Sequence, residues 1–228
     1  YGVGLGPGDP DLITVKSSRL ISQARVIAYP SLAGGESFAR SIAADLISPD
    51  AEEIVMDVPM TVERAPAQAA YDIGAKNIAA VLDRGEDVVC LCEGDPFFYG
   101  SFMYLYARLV ADYQVEVVPG VTSITTCAAR AGMPLAARNE RLTVLPGPLP
   151  AEELRARIEG AESVAIMKVG RHLSKIRAVI ADLGLTDKAA YIERASLPDE
   201  LVCPLAQAPE TAPYFSMIIL TKGADPWL

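Results

Sequence analysis

The 228 residues predict an α/β fold of two domains, the first built on a mainly parallel sheet and the second on a mixed one. Three observations predict it. From residue 1 to residue 118, short apolar runs alternate with segments of helical spacing, the βαβ rhythm of a parallel sheet with right-handed crossovers. After Pro119-Gly120 the rhythm changes, and strand-like runs at 190–194, 200–204 and 214–221 follow one another with no helix between, which calls for mixed pairing. Loops of glycine, proline and small polar residues fall where predicted strands end, at 4–10, 93–100 and 119–125. The domains expected are therefore 1–118 and 119–228, and no internal repeat is visible.

Taken in order, Tyr1 to Leu5 reads as a short strand that runs into Gly4-Leu5-Gly6-Pro7-Gly8-Asp9-Pro10. Asp9-Pro10 has the composition of a helix opening, with the carboxylate as cap and proline at the first helical position, and the helix is expected through about Gln23. Strands follow at 25–29 and 53–58 on either side of an amphipathic helix at 36–47. Ala70, Ile73, Ile78 and Val81 mark a helix over 64–82, and 87–92 is the central strand. Gly94 then lets the backbone approach something closely, and Asp95-Pro96 repeats the helix opening ahead of a helix over 100–109. A strand at 115–118 completes this half. In the second half helices are expected at 121–131, 151–158 and 173–183, and strands at 142–145 and 163–169 besides the late three.

Composition excludes several classes. Hydrophobic residues make up 51% and charged residues 21%, which describes a globular chain with a core. Apolar runs are broken by charge or proline within about ten residues, short of the roughly 20 a membrane span needs. No signal peptide is visible, so the expected location is the cytoplasm. A net charge of −9 argues against a nucleic-acid partner, because phosphate contacts call for positive surface. Cys90, Cys92, Cys127 and Cys203 form no CxxC pair, and with one histidine in the chain no metal centre is expected; the thiols read as buried and free.

The glycine loops exclude two familiar cofactor motifs. Read from Gly2 or from Gly4, the sixth position of a GxGxxG pattern is Pro7 or Asp9, so the dinucleotide fingerprint is absent, and there is no GxxxxGK[ST] phosphate loop. Exposed backbone amides at three strand ends point instead to a cleft lined by main-chain groups more than by charged side chains.

Three ordered motifs, Gly4-Leu5-Gly6-Pro7-Gly8-Asp9-Pro10, Glu93-Gly94-Asp95-Pro96-Phe97-Phe98-Tyr99-Gly100 and Val118-Pro119-Gly120-Val121-Thr122-Ser123, resemble the successive signatures of the tetrapyrrole methylase family. The resemblance covers essentially the whole chain. It implies two α/β domains, S-adenosyl-L-methionine as cofactor with S-adenosyl-L-homocysteine as product, a cofactor site in the cleft between domains, a tetrapyrrole substrate and a homodimer. Residues 95–104, Ala137-Arg138-Asn139-Glu140, Met167-Lys168-Val169-Gly170-Arg171 and Tyr214-Phe215-Ser216-Met217 are most similar to members that methylate C20 of precorrin-2. The same reaction on cobalt-factor II is the nearest alternative, a same-fold methylase with another substrate the next, and a cofactor-binding subunit without turnover the last. Uroporphyrinogen-III methylases carry Tyr-Asp after their second strand, where this chain has Tyr29-Pro30; that departure argues against their activity.

By this resemblance Pro7, Glu93, Gly94, Asp95, Phe98, Thr122, Ser123, Met167 and Ala195 hold the cofactor. Met167 also reads as plain core at the end of an apolar strand. A precorrin carries many carboxylates, so a chain at −9 needs a local basic patch to bind it. Arg138 and Arg141 flank one loop, and Lys168, Arg171, His172 and Lys175 crowd another; these are the candidate carboxylate contacts, with a solvated face as the alternative for each. His172 reads equally as a proton shuttle and as a surface residue at a helix start. No general base is evident.

Overall fold

The structure is a computed structural model, and it describes residues 1–32, 35–59 and 64–223. It divides into two compact units, Tyr1–Thr122 and Ser123–Leu228.

The first unit holds strands β1 (Gly2–Gly4), β2 (Val26–Ser31), β3 (Glu52–Asp57), β4 (Val88–Cys92) and β5 (Val117–Val118), in the order β3-β2-β4-β1-β5. Every pairing among them is parallel. The helices are α1 (Val15–Gln23), α2 (Phe38–Ile42), α3 (Arg64–Leu82) and α4 (Phe102–Leu109). β4 is buried at all five positions, as a central parallel strand covered on both faces must be. Its side chains alternate between two cores. Val88, Cys90 and Cys92 join Ile54, Tyr71, Ile78, Phe102 and Leu105 under α3 and α4, while Val89 and Leu91 join Val3, Leu5, Ile21, Ile27 and Ile42 under α1 and α2.

The second unit holds α5 (Ser123–Ala131), β6 (Leu142–Pro146), α6 (Ala151–Glu159), β7 (Ser163–Met167), α7 (Leu173–Asp182), β8 (Ala189–Glu193), β9 (Leu201–Pro204) and β10 (Ser216–Thr221). Its sheet order is β6-β7-β10-β8-β9. β6 and β7 are parallel, and the remaining pairings are antiparallel, so the sheet is mixed, as three late strands without intervening helices require. Leu154, Ile158, Ile176 and Ile180 pack one face with Val164, Ile166, Tyr191 and Ile218. Ile124 and Cys127 of α5 pack the other with Ala165, Ile192, Met217 and Ile219.

Four local expectations are corrected. Asp9 caps only a single 3-10 turn, Pro10–Leu12, by accepting from the Asp11 amide. Ile13 then returns to extended backbone, and Thr14, accepting from the Ser17 amide, caps α1. The helix expected over 36–47 is α2 followed by a separate 3-10 turn at Ala44–Leu46. Asp95 caps no helix at all, since α4 begins at Phe102. The segment 119–122 stays with the first unit, held there by contacts of Gly120 described below.

Candidate functional site

The first unit's site begins with topology. β1 lies beside β4; the chain leaves β1 toward β2 on one side and leaves β4 toward β5 on the other. That reversal is the switch point at which open α/β sheets take ligands, beyond the carboxyl ends of the strands. The loops after β1 and β4 emerge there, and the loop after β5 arrives beside them.

Four glycines interlock the loops. Leu5 donates its amide to Cys92 O at 3.0 Å, and Gly6 and Gly94 exchange amide-to-carbonyl bonds at 3.2 and 2.7 Å. A Cβ on Gly4 would lie 2.5 Å from both N and Cα of Gly120, and a Cβ on Gly120 would lie 2.0 Å from Gly94 O. Only backbone without side chains fits such an approach. Gly94 itself adopts a φ of 63°, and a Cβ there would meet nothing within 4 Å. Its outer side is thus open space.

The carboxylates of this loop have separate tasks. Asp95 accepts from the Phe97 and Phe98 amides on Oδ1 at 2.9 and 3.0 Å, and from the Gly120 amide on Oδ2 at 3.0 Å. Both oxygens are spent on bracing two loops together. Glu93 continues the β4 alternation onto the α2 side, where the Ala39 amide faces it; burial pushes its carboxyl above the ordinary range, with that amide acting in the opposite direction. Pro7 is half-buried, as are Thr122 and Ser123, and Phe98 is exposed beside Tyr99, with the rings edge to face at 5.3 Å. Tyr99 holds a φ of 57°, a strained backbone of the kind that concentrates at ligand-facing turns.

α2 is fixed by its own network. Arg40 donates Nε and Nη2 to the two Glu53 oxygens at 2.7 and 2.8 Å, and the Tyr29 hydroxyl donates to the same carboxylate. The guanidinium holds the Glu53 carboxyl down to about 2. Ser37 Oγ donates to Pro30 O at 2.6 Å, which ties the start of α2 to β2.

In the second unit the carboxyl ends of β6, β7 and β8 and the start of β10 lie along one sheet edge. Met167 ends β7, half-buried against the α5-side core, and its carbonyl accepts from the Gly147 amide at 2.7 Å; packing and rim position go together here. Ala195, 8% exposed, belongs to the same core. Lys168, Arg194 and Ser196 beside these two residues have φ values of 55°, 49° and 71°, so three left-handed non-glycine positions of this unit border Met167 and Ala195, Arg138 being a fourth that lies elsewhere in the chain. Tyr191, fully buried, donates its hydroxyl to Glu193 at 2.6 Å. Gly170 donates its amide to Ser216 Oγ at 3.2 Å, which holds the turn that carries Arg171 and His172.

The basic candidates divide by their partners. Arg141 is forked onto Glu162, Nε to Oε2 at 3.1 Å and Nη2 to Oε1 at 2.7 Å. Lys175 donates to Gly147 O at 2.8 Å and also to Leu149 O, so its ammonium caps a loop rather than awaiting an anion. Arg171 is exposed and has no ion pair among the described residues. Burial, Lys175 and Arg171 together push His172 below its ordinary value, which makes it a neutral imidazole near pH 7. Arg138, exposed at a φ of 46°, stands in a separate loop. The structure thus joins Lys168, Arg171 and His172 in one short stretch and leaves Arg138 and Arg141 in another.

Burial pushes the thiols of Cys90 and Cys92 up to about 11 and that of Cys127 up to about 12, so they are neutral core groups rather than nucleophiles. Among the described residues no group of three or more metal-ligating side chains stands together, and no helix is long and apolar enough to cross a membrane. Two features of the site escaped sequence reasoning. The contact of the Ala39 amide with Glu93 joins residues far apart in the chain with no local signal. The left-handed backbone at Lys168, Arg194 and Ser196 has none either, since none of these is a residue type that announces it.

The arrangement matches known proteins along its length. The chain is 41% identical over 233 residues to the precorrin-2 C(20)-methyltransferase of a Sinorhizobium species, covering 98% of this chain and 95% of that one. It is 31% identical to the cobalt-precorrin-2 C(20)-methyltransferase of Salmonella typhimurium, covering 97% and 95%. The uroporphyrin-III C-methyltransferase of Thermus thermophilus, solved as a complex with S-adenosylhomocysteine, superposes with a TM-score of 0.70 at 25% identity, over 97% of this chain and 96% of that one. The family profile described as Tetrapyrrole (Corrin/Porphyrin) Methylases matches residues 1–209. With motifs, both sheets and near-complete alignment in agreement, the chain belongs to the tetrapyrrole methylase family.

Proposed function

We propose that the protein is an S-adenosyl-L-methionine-dependent C-methyltransferase that methylates C20 of precorrin-2, giving precorrin-3A, in cobalamin biosynthesis. The observation that carries this reading is the 41% identity, nearly end to end, with an enzyme of that name. The likeness to a cobalt-precorrin-2 enzyme at 31% identity supports a second reading, the same methylation on cobalt-factor II. A homodimer free in the cytoplasm belongs to the leading reading.

Pro7, Glu93, Gly94, Asp95, Phe98, Thr122, Ser123, Met167 and Ala195 are the proposed cofactor residues. The fit rests on the open side of Gly94, where a ligand can come close to the backbone. S-adenosyl-L-methionine would supply an electrophilic methyl group on a sulfonium; sulfur would keep the bond electrons as a ring carbon takes the methyl, and that carbon would then lose its proton to water. Gly4, Gly94 and Gly120, interlocked by backbone, give this chain a rim that does not yield, so the two reactants can be held in line; positioning of that kind lowers a barrier by several kcal/mol. Asp95 acts on the rim as its brace. Arg171 is the leading contact for the carboxylates of the substrate, with Lys168 in the same stretch, Arg138 from its separate loop and neutral His172 as a hydrogen-bond donor. Arg141 takes part only by giving up Glu162.

The test is methyl transfer from labelled S-adenosyl-L-methionine to metal-free precorrin-2 and to cobalt-factor II in parallel, with NMR location of the new methyl. Label at C20 of the metal-free compound alone is expected. Turnover only with cobalt moves the enzyme to the second reading, and cofactor binding without transfer to either leaves a binding subunit.

A further inference from the structure

Arg171, the leading contact for the substrate's carboxylates, has no ion-pair partner among the described residues and is exposed. Where its guanidinium reaches is therefore set by the backbone that carries it. That backbone is one 3-10 turn, Gly170–His172, between the end of β7 and the start of α7. A turn of this kind has few internal bonds and poorer hydrogen-bond geometry than an α-helix. Here the internal bond is the His172 amide on Val169 O at 2.7 Å, and Gly170 stands at a φ of 33°. The place of the turn depends on what it is tied to.

It is tied to Ser216. This serine opens β10, the middle strand of the sheet, with β7 on one side and β8 on the other, and it is buried. A hydroxyl can donate once and accept as well, and this one does both. Oγ donates to Pro213 O at 2.7 Å and accepts from the Gly170 amide at 3.2 Å. The donated bond fixes the direction of the hydroxyl and leaves its lone pairs for Gly170. The backbone around it is held too, because Ser216 stands opposite Glu193 in the β8–β10 ladder and Phe215 O takes the Arg194 amide at 2.9 Å. One oxygen atom thus links the turn of Arg171 to the centre of the sheet, and alanine would leave the Gly170 amide and the Pro213 carbonyl without that partner.

We infer that Ser216 is a positioning residue for substrate binding: through the Gly170 amide it holds the turn in the place from which Arg171 meets a carboxylate of the tetrapyrrole. The inference rests on the proposed function and on the place of Arg171 in it. Because Ser216 acts through a binding contact, it bears on affinity for the tetrapyrrole and not on the chemical step.

Steady-state kinetics of the full chain, with metal-free precorrin-2 and with cobalt-factor II, test it in Ser216→Ala, Ser216→Thr, Arg171→Ala and the double variant Ser216→Ala/Arg171→Ala. Ser216→Ala is expected to raise KM for the tetrapyrrole about threefold with kcat within about twofold, and Ser216→Thr, which keeps the hydroxyl, is expected to restore the wild-type KM. With Arg171 already alanine, loss of the hydroxyl is expected to add nothing further, a dependence that general loosening of the unit would not produce. An unchanged KM in Ser216→Ala, a rise just as large in the Arg171→Ala background, or a threonine variant as impaired as the alanine one overturns the inference and leaves the proposed function standing. Should the alanine variant fold poorly, hydrogen exchange in wild type carries the test: a protected Gly170 amide upholds the inference, and exchange at the rate of an open loop overturns it. Wild type that methylates neither tetrapyrrole overturns the proposed function and the inference together.

Discussion

At the scale of the residue, the most demanding position is Gly120. Its α-carbon hydrogens occupy the space between Gly4 and the Gly94 carbonyl, and a methyl group there would overlap backbone on both sides, at 2.8 Å and 2.0 Å. Backbone cannot rotate away as a side chain can, so the loops must separate. Gly120→Ala is expected to cost about 3 kcal/mol or more in urea titration and to abolish cofactor binding. Gly132→Ala, at a left-handed glycine with nothing within 4 Å of the added carbon, is the control at about 1 kcal/mol. A similar loss for both would mean that the loops yield at Gly120 and that close approach there costs no more than the backbone strain at Gly132. The sequence shows Gly4, Gly94 and Gly120 as separate turn residues. That they touch one another was hidden, because the contact joins positions about a hundred residues apart and leaves no local trace.

At the scale of the element, the short helix α2 owes its place to an ion pair more than to its length. Glu53 is held near 2 by Arg40, well below its usual range. A depressed carboxyl adds stability that is complete above its unfolded value and is lost as pH falls through the folded one. The contribution of this pair is therefore full above roughly pH 4.5 and fades toward about 2. Arg40 is 42% exposed, so solvent screening limits the gain to about 1 kcal/mol. Urea titrations of wild type and Glu53→Gln at intervals from pH 5 down to 2.5 should converge as the pH drops. Curves that stay parallel would show that the carboxyl does not titrate in that window. Which elements could be read in advance follows the same logic. α3 spans the residues expected of it, because one long amphipathic pattern has no competing punctuation. α1 and α4 were expected to start at Asp-Pro pairs; in the fold those carboxylates cap turns, and the helices begin later, α1 at the Thr14 cap and α4 at Phe102.

At the scale of the whole molecule, a chain at −9 has to attract a polycarboxylate. The field of the full charge opposes the encounter at long range, while Lys168 and Arg171 act within about 10 Å, the screening length at ordinary salt. Arg171→Ala is expected to raise KM for the tetrapyrrole by roughly three- to tenfold with kcat within about twofold, since the contact binds the ground and transition states alike. Steady-state kinetics check it, and a fall in kcat at unchanged KM would remove Arg171 from substrate binding. The basic stretch was legible in sequence, but its division was not. Only the structure separates Arg171 from Arg141, which is committed to Glu162, and from Lys175, which is committed to two carbonyls.

β1 is made first and lies between β4 and β5, whose residues begin at Val88 and Val117. During synthesis β1 has no neighbour to pair with until β4, which ends at Cys92, has been made. At ordinary elongation speeds that wait is roughly ten seconds, far longer than the time in which local helices form. The rim on which the chemistry depends is therefore among the last parts of the first unit to close, and an apolar strand stays exposed on the ribosome until it does. Chaperone demand during translation, more than the stability of the finished fold, is where this topology is vulnerable.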